Sequence, residues 1–472
     1  MLPTPENFMI YPSVVPSDET SQMTILATEL AFLPFEGATY SLTIIPVCSD
    51  ENYYHPENHV KLELVGEGGA LKFSHTFSGE GEHLLLLSKD EKPIGEMHVY
   101  SLGADLYGLL PLRGDLHGHS YRSDGRRDPA ALAGHYREMG YDFFALTDHN
   151  RYYSGGEIDE VYGGLDLGIT RVRGEEIHSP GSVVHIVHIG GRESVAERYT
   201  EAESRAAYDE AVEDYISRLP ESIPEKYRER YGKAMWATDA IHAAGGIAIL
   251  PHPCWRAGAS RSYNLPDELT ALLLKSGKFD AFEVIGGIAQ VDCNRQVALW
   301  GDLRAEGCNI PIVGSSDVHA IARVENYPNH FTVCFAKANE NDAICEAIKG
   351  GLSVAVEAIG EDYGRRYFCY GSLRLVTYAH FLLRYYFPKT QRLSAGEGVA
   401  MRAYAVGELS AETLTHSARI CRDFSARYFG RLAPAMPSDE MIDFENRWRE
   451  RQLRGPRTKG SAVDSATINR QI

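Results

Sequence analysis

Gly114-Asp115-Leu116-His117-Gly118-His119 closes an apolar run that begins at Leu109, and its reading decides the fold. Residues 109–115 have the apolar pattern of a strand, and two histidines spaced two apart follow at its C-terminal end. Extended backbone puts residues i and i+2 on one face, so both imidazoles can serve one ion. Working outward, comparable motifs recur. They are Ser123-Asp124-Gly125, Thr147-Asp148-His149, Gly174-Glu175-Glu176-Ile177, His185-Ile186-Val187-His188, Pro251-His252-Pro253 and Ser316-Asp317-Val318-His319. Most lie in or after an apolar run, and side chains at the ends of successive barrel strands converge on one rim. One H-x-H or D-x-H pair is weak evidence. Several in one array point to a shared metal site, because Zn²⁺, Mn²⁺ and Fe²⁺ all accept imidazole and carboxylate.

The organisation around these motifs alternates strand and helix from residue 109 to about 358. Strands are expected at 141–146, 246–250, 281–285 and 311–314, and helices at 194–219, 227–244 and 341–349. A helix over 129–139 has Pro129 at its start and Asp128 as its N-cap. Such alternation implies α/β architecture with a parallel sheet, open or closed. Residues 1–108 read as an all-β, sandwich-like domain: short apolar runs at 24–26, 40–45, 60–64 and 83–87 are divided by turn residues. The domain expected next is 109–360. Residues 361–472 follow as a mostly helical extension with a polar tail from 456. Its aromatic stretch 373–387 is apolar on more than one face, which predicts burial against the barrel or against a second copy in a homo-oligomer.

Composition bounds the partners. The 472 residues carry 65 acids against 47 bases, a net charge of −18. Long nucleic acid and anionic membrane are unsuited to that charge, since binding to polyphosphate is driven by clustered Lys and Arg. A small anionic substrate is still admissible, because bound cations set the local field. The eight Cys include no C-x-x-C pair, which argues against zinc fingers and a disulfide framework. No secretory leader pattern opens the chain and no run reaches the length of a membrane helix, so a cytoplasmic location is the expectation.

Some motifs leave choices open. Asp148 and His149 are adjacent and face opposite ways on extended backbone, so His149 is the expected ligand and Asp148 a brace. Glu175 competes with Glu176. His185 and His188, three apart, also face opposite ways, so only one of them joins the site.

Taken together, GDLHGHS-YRSDG, ALTDHN, RGEEI, PHP and GSSDVH resemble the PHP (polymerase and histidinol phosphatase) superfamily of metal-dependent phosphoesterases, over about residues 110–358. The resemblance implies a distorted (βα)7 barrel with two or three divalent ions (Zn, Mn or Fe) at its strand ends. It implies hydrolysis of a small phosphate ester, a nucleotide or phosphorylated metabolite, by a metal-bridging hydroxide. In this sequence His117, His119, Glu176 and Asp317 would hold one ion. Glu176 would bridge to a second, also bound by His185 and His252, and Asp124, His149 and His319 would hold a third. Catalysis would then rest on Asp317, His319 and Glu176. The family's G-x-E spacing favours Glu176 over Glu175, and the two apolar residues after His185 favour it over His188.

A phosphate-holding cation is sought at Arg256, Arg122 or Arg323, each of which also reads as a solvated loop residue. Glu283 is placed to orient a ligand or form a salt bridge, and Trp255 to stack on a base or pack. Ser120, Ser315 and Ser316 flank ligand candidates, but metal-assisted hydrolysis needs no protein nucleophile. The competing functions are cleavage of an amide or carbamate on the same fold, and non-catalytic metal binding.

Overall fold

The computed structural model describes residues 7–47, 59–257, 261–321, 327–360 and 365–454. Arg323 and the tail from 456 lie outside them. The chain forms two compact units, Met1–Leu102 with Arg427–Ile472, and Gly103–Ala426. Residues from 361 on are therefore divided between the two.

In the first unit the expected strands lengthen into Thr20–Ala27, Thr39–Pro46, Val60–Glu67 and Gly81–Lys89. They belong to one eight-stranded sheet, where the sequence had implied a sandwich. One apolar core, including Ile10, Met23, Leu42, Leu71, Leu85 and Val99, is drawn from strands across that sheet. The sheet curls around this core, and its edge strands Phe8–Tyr11 and Val14–Pro16 are neighbours in sequence, so it is nearly closed. The helix Asp439–Arg454 belongs to the same unit, where the Arg449 guanidinium lies 4.0 Å from the centre of the Phe35 ring.

The second unit is α/β. A six-stranded sheet runs in the order Thr170–Val172, Phe143–Ala145, Leu110–Asp115, His330–Ala336, Ser353–Ile359, Arg366–Tyr370. A five-stranded sheet runs Gly174–His178, His185–Ile189, Ile247–Leu250, Ala281–Ile285, Ile312–Gly314. One core joins them, with Leu112, Phe143 and Cys334 from the first sheet packed with Val187, Ile249 and Val313 from the second. A second apolar layer, including Leu250, Phe282 and Ile312, covers the outer face with helices such as Arg228–Ala243 and Asp267–Lys275.

Pairing is parallel among the first three strands and from Ile247–Leu250 to Ile312–Gly314, but not throughout. Gly174–His178 pairs antiparallel with His185–Ile189, which pairs antiparallel with Ile247–Leu250. The link 179–184 is too short for the dozen or more residues of a parallel crossover, so strict βα alternation breaks there. Asp128 caps the Pro129–Glu138 helix, its carboxylate accepting from Ala131 N at 2.8 Å. Most of the aromatic stretch forms the helix Leu373–Tyr385, which buries Leu375, Tyr378, Phe381 and Leu382 within this unit and leaves Leu373 exposed, with Tyr378 stacked on Phe335. Among the described residues no helix is long and apolar enough to cross a membrane.

Candidate metal centre

Two bridges beyond the strand ends bring the motifs together. Gly118 pairs in parallel with Val318, and His149 with Glu176. His119 N donates to Val318 O at 2.8 Å, and Thr147 N to Gly118 O at 2.8 Å. His117 and His119 thus flank one side of the first bridge and Asp317 and His319 the other. The two pairs spaced i, i+2 in sequence form a single paired structure. Position 118 must be small, because a Cβ there would lie 2.6 Å from the Tyr136 hydroxyl oxygen. Asp317 and His252 have φ of 51° and 27°, left-handed values that cost about 1–3 kcal/mol and concentrate at functional sites.

Glu176 is the hub. Its Oε2 lies 3.3 Å from His117 Nε2, 3.5 Å from His119 Nε2 and 2.8 Å from His149 Nδ1. Its Oε1 lies 3.4 Å from His178 Nε2, 3.0 Å from His185 Nδ1 and 3.3 Å from His252 Nε2. Asp317 Oδ1 stands 2.9 Å from His119 Nε2 and 3.4 Å from His117 Nε2. Asp124 Oδ1 stands 3.4 Å from His149 Nε2 and 3.2 Å from His319 Nε2.

Most of these approaches are not hydrogen bonds. His117 Nε2, His119 Nε2, His149 Nδ1, His178 Nε2, His185 Nδ1, Asp317 Oδ1 and both Glu176 oxygens are buried without a hydrogen-bond partner. Each such group costs about 1–3 kcal/mol. Nitrogen and oxygen lone pairs converging in this way are satisfied together by cations between them. Among the described residues, ligand-capable atoms within 4.8 Å of one another fall into five overlapping sets. These are His119/Asp124/His149/His319, His117/His119/Glu176, His117/His252/Asp317, His149/Glu176/His178 and Glu176/His185/His252. Nitrogen and oxygen donors in this number fit divalent metal ions.

Charge in the cluster is balanced by protons when no cation is bound. Burial works against a charged His117, yet Asp317, Glu176 and Glu283 hold its proton well above the ordinary histidine range. Burial likewise opposes charge on His149 and His252, but contact with Glu176 raises both. Glu176 and Asp317 are pulled far down, despite burial, by His117 and the other imidazoles around them. His185 is pushed down to about 4 by burial. A cation entering this cluster competes with those protons.

Carboxylates behind the cluster fix its geometry. His117 Nδ1 lies 3.0 Å from Glu283 Oε2, which leaves Nε2 facing Glu176. Asp115 accepts from His117 N at 3.2 Å, Ser316 N at 3.0 Å, the Tyr136 hydroxyl at 3.0 Å and Ser316 Oγ, tying the first motif to the last. Burial raises the Asp115 carboxyl to about 6 against those bonds. Asp148 accepts from Ser120 N at 2.7 Å, Ser120 Oγ at 2.6 Å and Ser123 Oγ at 2.7 Å, the bracing role read from sequence. The hydroxyls of Ser120 and Ser316 are therefore engaged in holding loops.

The two open choices separate cleanly. Glu175 and His188 are cross-strand partners, and their side chains pair at 3.0 Å on the face away from Glu176. Glu175 also accepts from Ser194 Oγ at 2.7 Å and Val195 N at 2.6 Å. The two arginine candidates among the described residues, Arg122 and Arg256, are paired. Arg122 Nε and Nη2 donate to Glu157 at 2.5 and 3.0 Å, and Arg256 Nη2 donates to Asp292 at 2.7 Å. The Trp255 ring lies 6.0 Å from His185 and 6.2 Å from His252, half exposed beside the cluster. His178 was missed in the sequence. The signal was Glu176-Ile177-His178, an E-x-H with the spacing that had singled out His117 and His119.

The sequence matches no protein-family profile and no curated protein. Among solved structures, a two-domain Bacteroides vulgatus protein with a predicted PHP-like metal-dependent phosphoesterase domain is 20% identical, at TM-score 0.35. The match covers 54% of this chain and 74% of that one. A candidate metal-dependent phosphoesterase of Bifidobacterium adolescentis is 20% identical over 44% of this chain and 87% of its own, at TM-score 0.30. An amidohydrolase of Chromobacterium violaceum, with sulfate bound and no metal, is 22% identical over 44% and 88%, at TM-score 0.29. Likenesses this slight carry no weight for the reaction.

Proposed function

We propose that Gly103–Ala426 is a metal-dependent phosphoesterase of the PHP type, holding two or three divalent ions and hydrolysing a small phosphate ester. The observation that carries this reading is Glu176, one carboxylate with three imidazoles facing each oxygen. Ions bound here would lower the pKa of water and neutralise phosphoryl oxygens as charge develops. The chain's own residues do the rest. Glu176 and Asp317 would hold an ion with His117 and His119, Glu176 would also serve one with His185 and His252, and Asp124 with His319 would serve a third. His319 and Asp124 side chains are 38% and 55% exposed, so substrate approaches from their side. Glu283 holds the His117 ring, and Asp115 and Asp148 keep the loops from opening.

The paired state of Arg122 and Arg256 favours one second reading, cleavage of an uncharged amide or carbamate. A panel of sugar phosphates, nucleotides, amides and carbamates, assayed with metal-loaded protein, separates the two. The expected outcome is phosphate release that chelator abolishes and Mn²⁺, Fe²⁺ or Zn²⁺ restores, lost in Asp317→Ala and largely kept in Ser120→Ala. Monomeric substrates should be turned over better than duplex DNA, given the −18 charge. Amide or carbamate cleavage without phosphate release would replace this reading with the second.

A further inference from the structure

We infer that His178 is a further metal-ligating residue, acting with His149 Nδ1 and Glu176, which gives the cluster one more imidazole ligand than the motifs supply. The inference rests on the metal-dependent reading above. His178 ends the strand Gly174–His178, two residues past Glu176, so both side chains share a face. Its Nε2 lies 3.4 Å from Glu176 Oε1 and is inaccessible and without a hydrogen-bond partner, although the ring is 29% exposed. His149 Nδ1 is in the same condition, 2.8 Å from Glu176 Oε2. Ligand atoms of His149, Glu176 and His178 lie within 4.8 Å of one another.

The ring is held where it is. Asn150, at φ 53°, accepts from His178 N at 2.8 Å and from the Tyr199 hydroxyl at 2.6 Å, fixing the strand end. On the other face His178 stacks on its cross-strand partner His185, centroids 3.8 Å apart at 22°. His178 and His149 lie with centroids 4.3 Å apart. A purely structural histidine would give its buried nitrogen a well-formed hydrogen bond. This one spends its buried nitrogen on a carboxylate oxygen that two other imidazoles already face, an oxygen that cannot accept well-formed hydrogen bonds from all three.

The test compares the full chain with His178→Gln, and with His416→Gln as a control on an exposed helical position. Each is loaded with Zn²⁺, freed of excess, assayed for zinc by mass spectrometry and titrated with a competing chelator. His178→Gln should lose one equivalent or hold it at least about tenfold more weakly, while the control matches wild type. Anomalous diffraction at the zinc edge on the wild-type protein gives a readout independent of any variant. A zinc peak about 2.0–2.1 Å from His178 Nε2 is expected. Full stoichiometry and affinity in His178→Gln, or no zinc peak within about 3 Å of His178 when others are filled, overturns the inference. Wild-type protein that binds no metal at all would instead sink the functional reading on which it rests.

Discussion

Glu176 and Glu283 do different work with the same chemistry. Glu176 faces six imidazoles, whereas Glu283 faces the back of one, His117. A carboxylate behind a ligating histidine fixes the ring's tautomer and raises its basicity. Glu283→Gln should therefore keep the fold and weaken metal binding about 10–100-fold, read by chelator competition, with activity recovering as metal is added in excess. Recovery separates a positioning residue from one that touches substrate. An unchanged affinity would show that the His117 ring is held by packing alone. Neither outcome depends on the arginines, whose carboxylate partners occupy them.

At the scale of elements, a residue just before a strand ties that strand to its flanking helices. Asp280, immediately before Ala281–Ile285, meets His242 Nε2 at 2.8 Å, accepts from Ala248 N at 2.8 Å and lies 3.3 Å from Lys349 Nζ. It therefore joins the helix Arg228–Ala243, the strand Ile247–Leu250 and the helix Asn341–Lys349. Burial pushes its pKa up, but the His242 contact, the Ala248 N–H and Lys349 outweigh it, leaving the carboxyl below its ordinary value. The folded protein thus releases this proton more readily than the unfolded chain. Its stabilising contribution is complete above the ordinary Asp pKa, about 3.9, and fades as pH falls through the lower folded value. In thermal melts Asp280→Asn should be less stable than wild type at pH 6, and the gap should narrow below about pH 4. A gap constant down to pH 3 would mean that Asp280 is not depressed.

At the scale of the whole molecule, the residues after 361 are not one extension. The helix Phe387–Ala405 lies against Pro129–Glu138, where a Cβ on Gly398 would come 2.2 Å from Glu138 N. Arg137 Nε donates to Glu397 Oε2 at 2.6 Å, and Gly168 N to Oε1 at 2.6 Å, with both ionic side chains buried. Removing one partner of a buried pair costs about 3–5 kcal/mol where the other charge is left uncompensated. Arg137 Nη1 still faces Asp142 Oδ1 at 3.2 Å and Tyr141 O at 3.1 Å, which lowers that cost. Glu397→Ala should lose about 1–3 kcal/mol in urea unfolding while the intact fraction keeps its metal affinity. A loss below about 1 kcal/mol would mean that Asp142 and Tyr141 O suffice to hold the Arg137 charge.

The sequence by itself determined the strands and helices with strong local patterns and the residue types of the site. Ala281–Ile285 and Asn341–Lys349 have the bounds that their apolar periodicity implies, and Asp128 caps its helix as the Asp-Pro step requires. Those signals act within a few residues, so they survive in a linear reading. The i, i+2 histidines and acids were legible for the same reason, and the missed His178 obeys the same spacing. Only the tertiary structure decided that Glu175 and His188 answer each other across an antiparallel pair, that Arg122 and Arg256 are engaged, and that one eight-stranded sheet replaces a sandwich. Each of these depends on register or charge pairing between segments distant along the chain or facing each other across a turn. The orphaned atoms around Glu176 belong to the same class: their convergence is fixed by two bridges, Gly118 to Val318 and His149 to Glu176, that no local pattern encodes.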